Sequence, residues 1–145
     1  MLYLLDSNIL LYSKMTVMRE HALISKWLVD TLNDQVSTIT ICETSILSFL
    51  RIATNSKVFN PPLPCNEALA FINSILDRPN VQIIKPSIKH YIELIDFMKN
   101  YDFTGNLVMD AHLAVIALNT DALLVTHDND FKKIPQLKVF NPLSP

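Results

Sequence analysis

Glycine is nearly missing from this 145-residue chain: Gly105 is the only one, so no glycine-rich loop exists to cradle a phosphate. Dinucleotide-binding and P-loop sites are excluded together. Cysteine is scarce as well. Cys42 and Cys65 lack C-x-x-C spacing, which reads as free, buried thiols in a reducing compartment, and the four histidines, at 21, 90, 112 and 127, are too scattered for a zinc site. Charged residues make up only 18% of the chain and nearly balance, 12 basic against 14 acidic, a formal charge of -2. The chain as a whole exerts no pull on phosphate or on an anionic membrane, so nucleic-acid binding would need a local basic patch or bound cations. No apolar run approaches the roughly 18 residues of a membrane span. The apolar start MLYLLDSNILLYS carries Asp6 in its middle and has no positive n-region, unlike a signal peptide. A cytoplasmic protein without membrane contact is expected.

What is present is a large supply of core. Half the residues are hydrophobic, and the length suits one domain, 1–145, with no repeat, low-complexity tract or linker. Short apolar runs read as strands: LYLL (2–5), QVST (35–38), VQII (81–84), ALLVT (122–126) and LKVF (137–140). Between them, helical spacing covers 8–14, 19–32, 40–54, 66–76, 87–100 (opened by Ser87) and 105–120, while FNPPLP (59–64) reads as a rigid loop and DNDFKK as a turn or short helix. Strands alternating with helices along the whole chain predict an α/β fold, a three-layer α/β/α sandwich around a mainly parallel sheet. Ligand sites in such folds lie beyond the carboxyl ends of the strands.

Carboxylates collect at that edge. Asp6 follows LYLL, Asp128 and Asp130 follow ALLVT, Glu43 falls in the first turn after the second strand, and Asp110 lies one turn inside the helix opened by Gly105 and Asn106. Each also has a plain structural reading. Thr40 and Glu43 fit a capping box, Asp128 fits an N-cap, and Asp6 fits a turn. Asp110 is harder to explain away, since it interrupts NLVMDAHLAVIAL and no lysine or arginine occurs between 100 and 131. A buried carboxylate there must be protonated, paired with a distant cation, or bound to metal. Clustered carboxylates repel unless positive charge enters, and Mg2+ or Mn2+, which prefer oxygen ligands, suit such a set. Such a site performs phosphodiester chemistry well. His112, two residues past Asp110, reads as a packing or surface histidine.

Taken together, LLDSNILLY, the helix of Glu43, GNLVMDAHLAVIAL and LLVTHDNDFKKIPQLKVFNPL resemble the PIN-domain ribonucleases, and most closely the VapC-type toxins of bacterial toxin–antitoxin pairs, over residues 2 to about 143. Each motif is a weak pattern, but their order and spacing are specific. The resemblance implies a Mg2+- or Mn2+-dependent endoribonuclease with Asp6, Glu43 and Asp110 as core acids. It implies a fourth acid in THDNDF, Asp128 being favoured and Asp130 held as the alternative. Asn8 and Thr126 match positions that support the acids. The resemblance further implies a VapB-like antitoxin partner, homodimers, DNA contact only through the antitoxin, and structured RNA substrates such as tRNA or rRNA. Ser7 and Gln136 depart from the common threonine and glycine without touching the acids, and His127 has no evident role. Arg51, Lys57, Lys132 and Lys133 are the basic residues placed to meet RNA. Three other classes fit the residues less well. A phosphoacceptor receiver domain wants adjacent acids after the first strand and a lysine after the last. A haloacid-dehalogenase-like phosphatase wants D-x-D where D-S-N stands. A catalytically inactive PIN-fold binding scaffold would not retain every acid.

Overall fold

Residues 1–145 are described by a computed structural model. Five strands form one sheet in the order β3-β2-β1-β4-β5, and every pairing is parallel. The elements run β1 Leu2–Leu5, α1 Ser7–Lys14, α2 His21–Asn33, β2 Thr38–Cys42, α3 Glu43–Ala53, α4 Cys65–Leu76, β3 Val81–Ile84, α5 Ile88–Asn100, α6 Val108–Thr120, β4 Leu123–Val125 and β5 Val139–Phe140.

The period of two along the strands sorts the core onto two faces. Leu4, Cys42 and Leu124 point to the side covered by α5 and α6, where they meet Phe97, Ala114 and Phe131. Leu5, Ile39, Ile41 and Val125 point to the other side, against Ile9 and Leu10 of α1, Leu28 of α2, Phe49 of α3 and Ile72 of α4. The result is the three-layer arrangement expected of these runs. Leu4 and Leu124 are fully buried, so truncating either to alanine is expected to cost about 2–5 kcal/mol. Helix α6 is buried without a break from Ala111 to Ala117, which explains why its sequence is apolar all round.

The expected boundaries need correction in several places. The second strand is not QVST but TITIC, and α3 begins at Glu43 rather than Thr40. Its β-branched residues pair with β1 on one side and β3 on the other, a tertiary demand that overrides the helical spacing counted through Ile41. The Thr40–Glu43 capping box therefore does not form. Thr40 is a strand residue whose hydroxyl donates to the Tyr3 carbonyl at 2.7 Å, and Cys42 precedes the helix without a side-chain cap. Helix α6 starts at Val108, after a single 3-10 turn at Gly105–Leu107 in which Gly105 takes φ +59°. The last two strands are shorter than expected, and Ser87 precedes α5 without a side-chain cap bond. Of the two thiols only Cys42 is buried, since Cys65 is exposed at the start of α4.

Candidate metal and active site

The strand order reverses between β1 and its two neighbours: the chain leaves β1 for β2 on one side, and β4 returns on the other. Such a switch point opens a crevice at the carboxyl ends of the strands. Asp6 follows β1 directly and Asp128 follows β4 by three residues, so both reach this crevice. Asp110 arrives from the first turn of α6.

Asp6 is buried and held by four donors. Its Oδ1 accepts from the Ser7 backbone N–H at 2.6 Å and the Ser7 hydroxyl at 3.4 Å. Its Oδ2 accepts from the Thr126 hydroxyl at 2.7 Å and from Asn8 Nδ2 at 3.2 Å. The first of these bonds makes Asp6 the N-cap of α1, so the capping and site roles coexist. Thr126 also accepts the Asp128 backbone N–H at 3.0 Å, which couples the acids of β1 and β4 through one buried hydroxyl. Asn8 joins the same network, donating to Thr126 Oγ1 at 3.2 Å and accepting the His127 backbone N–H at 3.3 Å. Asp128 Oδ1 in turn caps the following 3-10 turn by accepting from the Asp130 N–H at 2.9 Å.

Carboxylate oxygens of Asp110, Asp128 and Asp130 lie within 4.8 Å of one another. Asp6 and Asp110 face a shared small cavity of about 60 Å³, space for a few waters, whose wall Thr44, Ser45 and Ser48 complete from α3. No lysine or arginine pairs with Asp6, Asp110 or Asp128, and only Asp130 has a cation, Lys133 at 3.2 Å. The electrostatic cost falls on Asp110. Burial, then the charges of Asp128, Asp6 and Asp130, push its carboxyl up to about 7. Burial also raises Asp6, outweighing the hydrogen bonds from Thr126 and Ser7 that favour its charged form. An all-oxygen set whose negative charges are offset only by Lys133 on Asp130 fits a hard divalent cation, and it offers no nitrogen or sulfur for a softer ion.

Glu43 is not one of the three acids whose oxygens lie within 4.8 Å of one another. It is exposed at the start of α3, outside the cavity wall, and its charge bears on His112 instead. His112 is buried, as one of its two sequence readings has it. It links Cys42 Sγ at 3.3 Å to His90 Nε2 at 2.8 Å, and burial holds both imidazoles below the usual histidine value. Arg51, Lys57, Lys132 and Lys133 are all exposed. The hydroxyls of Thr44, Ser45 and Ser48 and the ring of Tyr12 escaped attention in the sequence. A signal existed for each: TSILS puts hydroxyls into the buried face of an apolar helix, and Tyr12 follows Asn8 by one helical turn.

The α/β/α layering and the acidic switch-point crevice define a class. The PIN domain family matches residues 3–137, and the chain belongs to it. Among individual relatives the chain is 30% identical to Ribonuclease VapC33 of Mycobacterium tuberculosis, over 95% of this chain and 96% of the relative. It is 31% identical to Ribonuclease VapC37 of the same organism, over 96% of each. A structure described as VapBC2 from Rickettsia felis bound to a DNA fragment from their promoter superimposes with a TM-score of 0.71. That chain is 21% identical, with 97% of this chain and 98% of the other covered, a likeness of fold.

Proposed function

We propose that the chain is a single PIN domain, residues 1–145, acting as a divalent-metal-dependent endoribonuclease, the toxin of a toxin–antitoxin pair. The observation that carries this reading is the triad Asp110, Asp128 and Asp130 beside Asp6, drawn together with no compensating cation except Lys133 on Asp130. The names of the ribonuclease relatives support the nuclease assignment. Asp6, Asp110 and Asp128 would hold Mg2+ or Mn2+, with Asp130, partly neutralised by Lys133, contributing beside them and Glu43 acting from the α3 rim. When bound, such an ion supplies the positive charge that admits a phosphate into an acidic pocket and acidifies water for attack on phosphorus.

The chain's own residues set the geometry. Thr126 and Asn8 orient the Asp6 carboxylate, and the same Thr126 hydroxyl holds the Asp128 backbone N–H, so one side chain positions both acid-bearing segments. Thr44, Ser45 and Ser48 provide hydroxyls for waters in the cavity. Arg51, Lys57, Lys132 and Lys133 offer the positive contacts for a structured RNA such as tRNA or rRNA. A VapB-like antitoxin is the proposed partner, consistent with the structural relative being a VapBC2 assembly, and DNA would be met only through it. Homodimer formation is supported by the apolar row Ile88, Tyr91, Ile92 and Ile95 left exposed on α5. No helix is long and apolar enough to cross a membrane, which accords with action in the cytoplasm.

The test is cleavage of total RNA by antitoxin-free protein with Mg2+, Mn2+ or EDTA, comparing wild type with Asp6→Asn and Asp110→Asn. Cleavage at discrete sites that needs the metal and both acids supports the reading. Absence of cleavage with either metal, or undiminished cleavage by the variants, would return the chain to a binding scaffold.

A further inference from the structure

His127, the residue in VTHDND that metal chemistry leaves without a task, sits at the rim of the crevice beside Tyr12. Its imidazole is locked in one tautomer by its neighbours. The Leu143 backbone N–H donates to Asn141 Oδ1 at 3.0 Å, which fixes the orientation of that amide. Asn141 Nδ2 therefore faces His127 Nδ1, 3.1 Å away, as a donor. A neutral ring accepting at Nδ1 carries its hydrogen on Nε2, and Nε2 makes no hydrogen bond within the protein. The backbone is pinned too, by the bond from His127 N–H to Asn8 Oδ1.

The ring packs in a T-shape with Tyr12, centroids 5.8 Å apart and planes at 75°. Tyr12 is half-buried among carboxylates. Burial, then Glu20, Asp6 and Asp128, push its phenol up, so the hydroxyl stays a donor, and it too has no partner on the protein. Glu20 is an acid whose charge interacts with His127. It accepts from Arg19 Nε at 3.1 Å and receives no hydrogen bond from the imidazole. Two unused donors thus stand together, one on the residue that precedes Asp128 and the other within the field of Asp6 and Asp128.

We propose that His127 Nε2–H and the Tyr12 hydroxyl form the substrate-positioning edge of the site, donating to acceptors on the nucleotide next to the scissile phosphate. The proposal rests on the ribonuclease reading above. The acceptors are either phosphate oxygens or a base edge, and the two sources give different signatures. A phosphate contact weakens all sequences alike, whereas a base contact changes which sites are cut. Neither residue holds the metal, so both act on binding and orientation of the strand.

The experiment compares full-length wild type with His127→Ala, His127→Gln and Tyr12→Phe. Each is measured for KM and kcat on bulk tRNA with Mn2+, for Mn2+ affinity by calorimetry, and for binding of fluorescein-labelled bulk tRNA in Ca2+. His127→Ala and Tyr12→Phe are expected to raise KM and the RNA dissociation constant about five- to tenfold, with kcat within about twofold and Mn2+ affinity unchanged. His127→Gln, whose amide nitrogen reaches the place of Nε2, is expected to restore most of the binding. Mapped cleavage ends separate the sources: the same sites cut more weakly indicate phosphate, and a changed flanking base indicates a base edge. The proposal is overturned if His127→Ala binds and cuts like wild type, if it loses Mn2+ affinity along with kcat, or if glutamine fails to restore binding. If wild type itself cuts nothing, the nuclease reading fails separately, and the Ca2+ binding series still decides whether His127 and Tyr12 hold RNA.

Discussion

Replacing Asp110 by asparagine is expected to make the metal-free protein more stable while abolishing its proposed activity. The Asp110 carboxyl is pushed from its ordinary 3.8 to about 7 by burial and by three neighbouring acids. Ionising a group raised that far costs the fold about 4 kcal/mol at about 1.36 kcal/mol per pH unit. The side chain is only half-buried, so screening by solvent brings the figure down to about 2 kcal/mol. The sign follows from linkage. Because the folded value lies above the unfolded one, the group's stabilising contribution is complete below pH 3.8 and is lost as pH rises through about 7. Asparagine stays neutral throughout. In EDTA the variant should exceed wild type by about 2 kcal/mol at pH 8, about 5 °C in Tm for a chain of this size, and by less than half of that at pH 5. Saturating Mn2+ should reverse the order, since wild type gains about 2.7 kcal/mol at a hundredfold excess over Kd and the variant gains little. Urea unfolding followed by circular dichroism at pH 5, 6.5 and 8, with and without Mn2+, measures all of this. Equal stabilities in EDTA at all three pH values would refute the claim that Asp110 lies among uncompensated charges.

Two further outcomes are expected. Thr126→Val keeps the shape of a fully buried residue but removes the hydroxyl shared by Asp6 and the Asp128 N–H, so it should cost about 2 kcal/mol in unfolding and about tenfold in Mn2+ affinity by calorimetry. In an Asp6→Asn, Asp110→Asn background, which removes the two raised carboxyls whose protonation acts in the opposite direction, lowering the pH from 7 to 5 should destabilise the protein. His90 and His112 are held below 6.5 in the fold, so their contribution is present above the unfolded value and is lost as pH falls toward the folded ones. His112→Phe should flatten that slope in pH-dependent urea melts, and an unchanged slope would mean that the imidazole pair is not the source.

How much of this was legible beforehand depends on whether the information is local. Layering and element order follow from periodicity, because a strand with two covered faces must be apolar throughout and a helix between strands must have one apolar side or be buried entirely. Acids placed just after strands could be located by the same logic. TITIC could not be assigned locally, since β-branched residues suit either a strand or a helix face until pairing with Leu2–Leu5 and Val81–Ile84 decides. Nor could the site be assembled from the chain alone. Asp6 and Thr126 are 120 residues apart and meet only because β4 lies beside β1, a matter of strand order that no local pattern records. That Thr44, Ser45 and Ser48 line the cavity while Glu43 does not depends on how α3 is rotated against the sheet. The high pKa of Asp110 and the tautomer of His127 likewise belong to tertiary structure. The sequence by itself determined which chemical groups this protein possesses and on which kind of element each rides; the packing of those elements decided their distances, and charge repulsion and hydrogen bonding act only through distance.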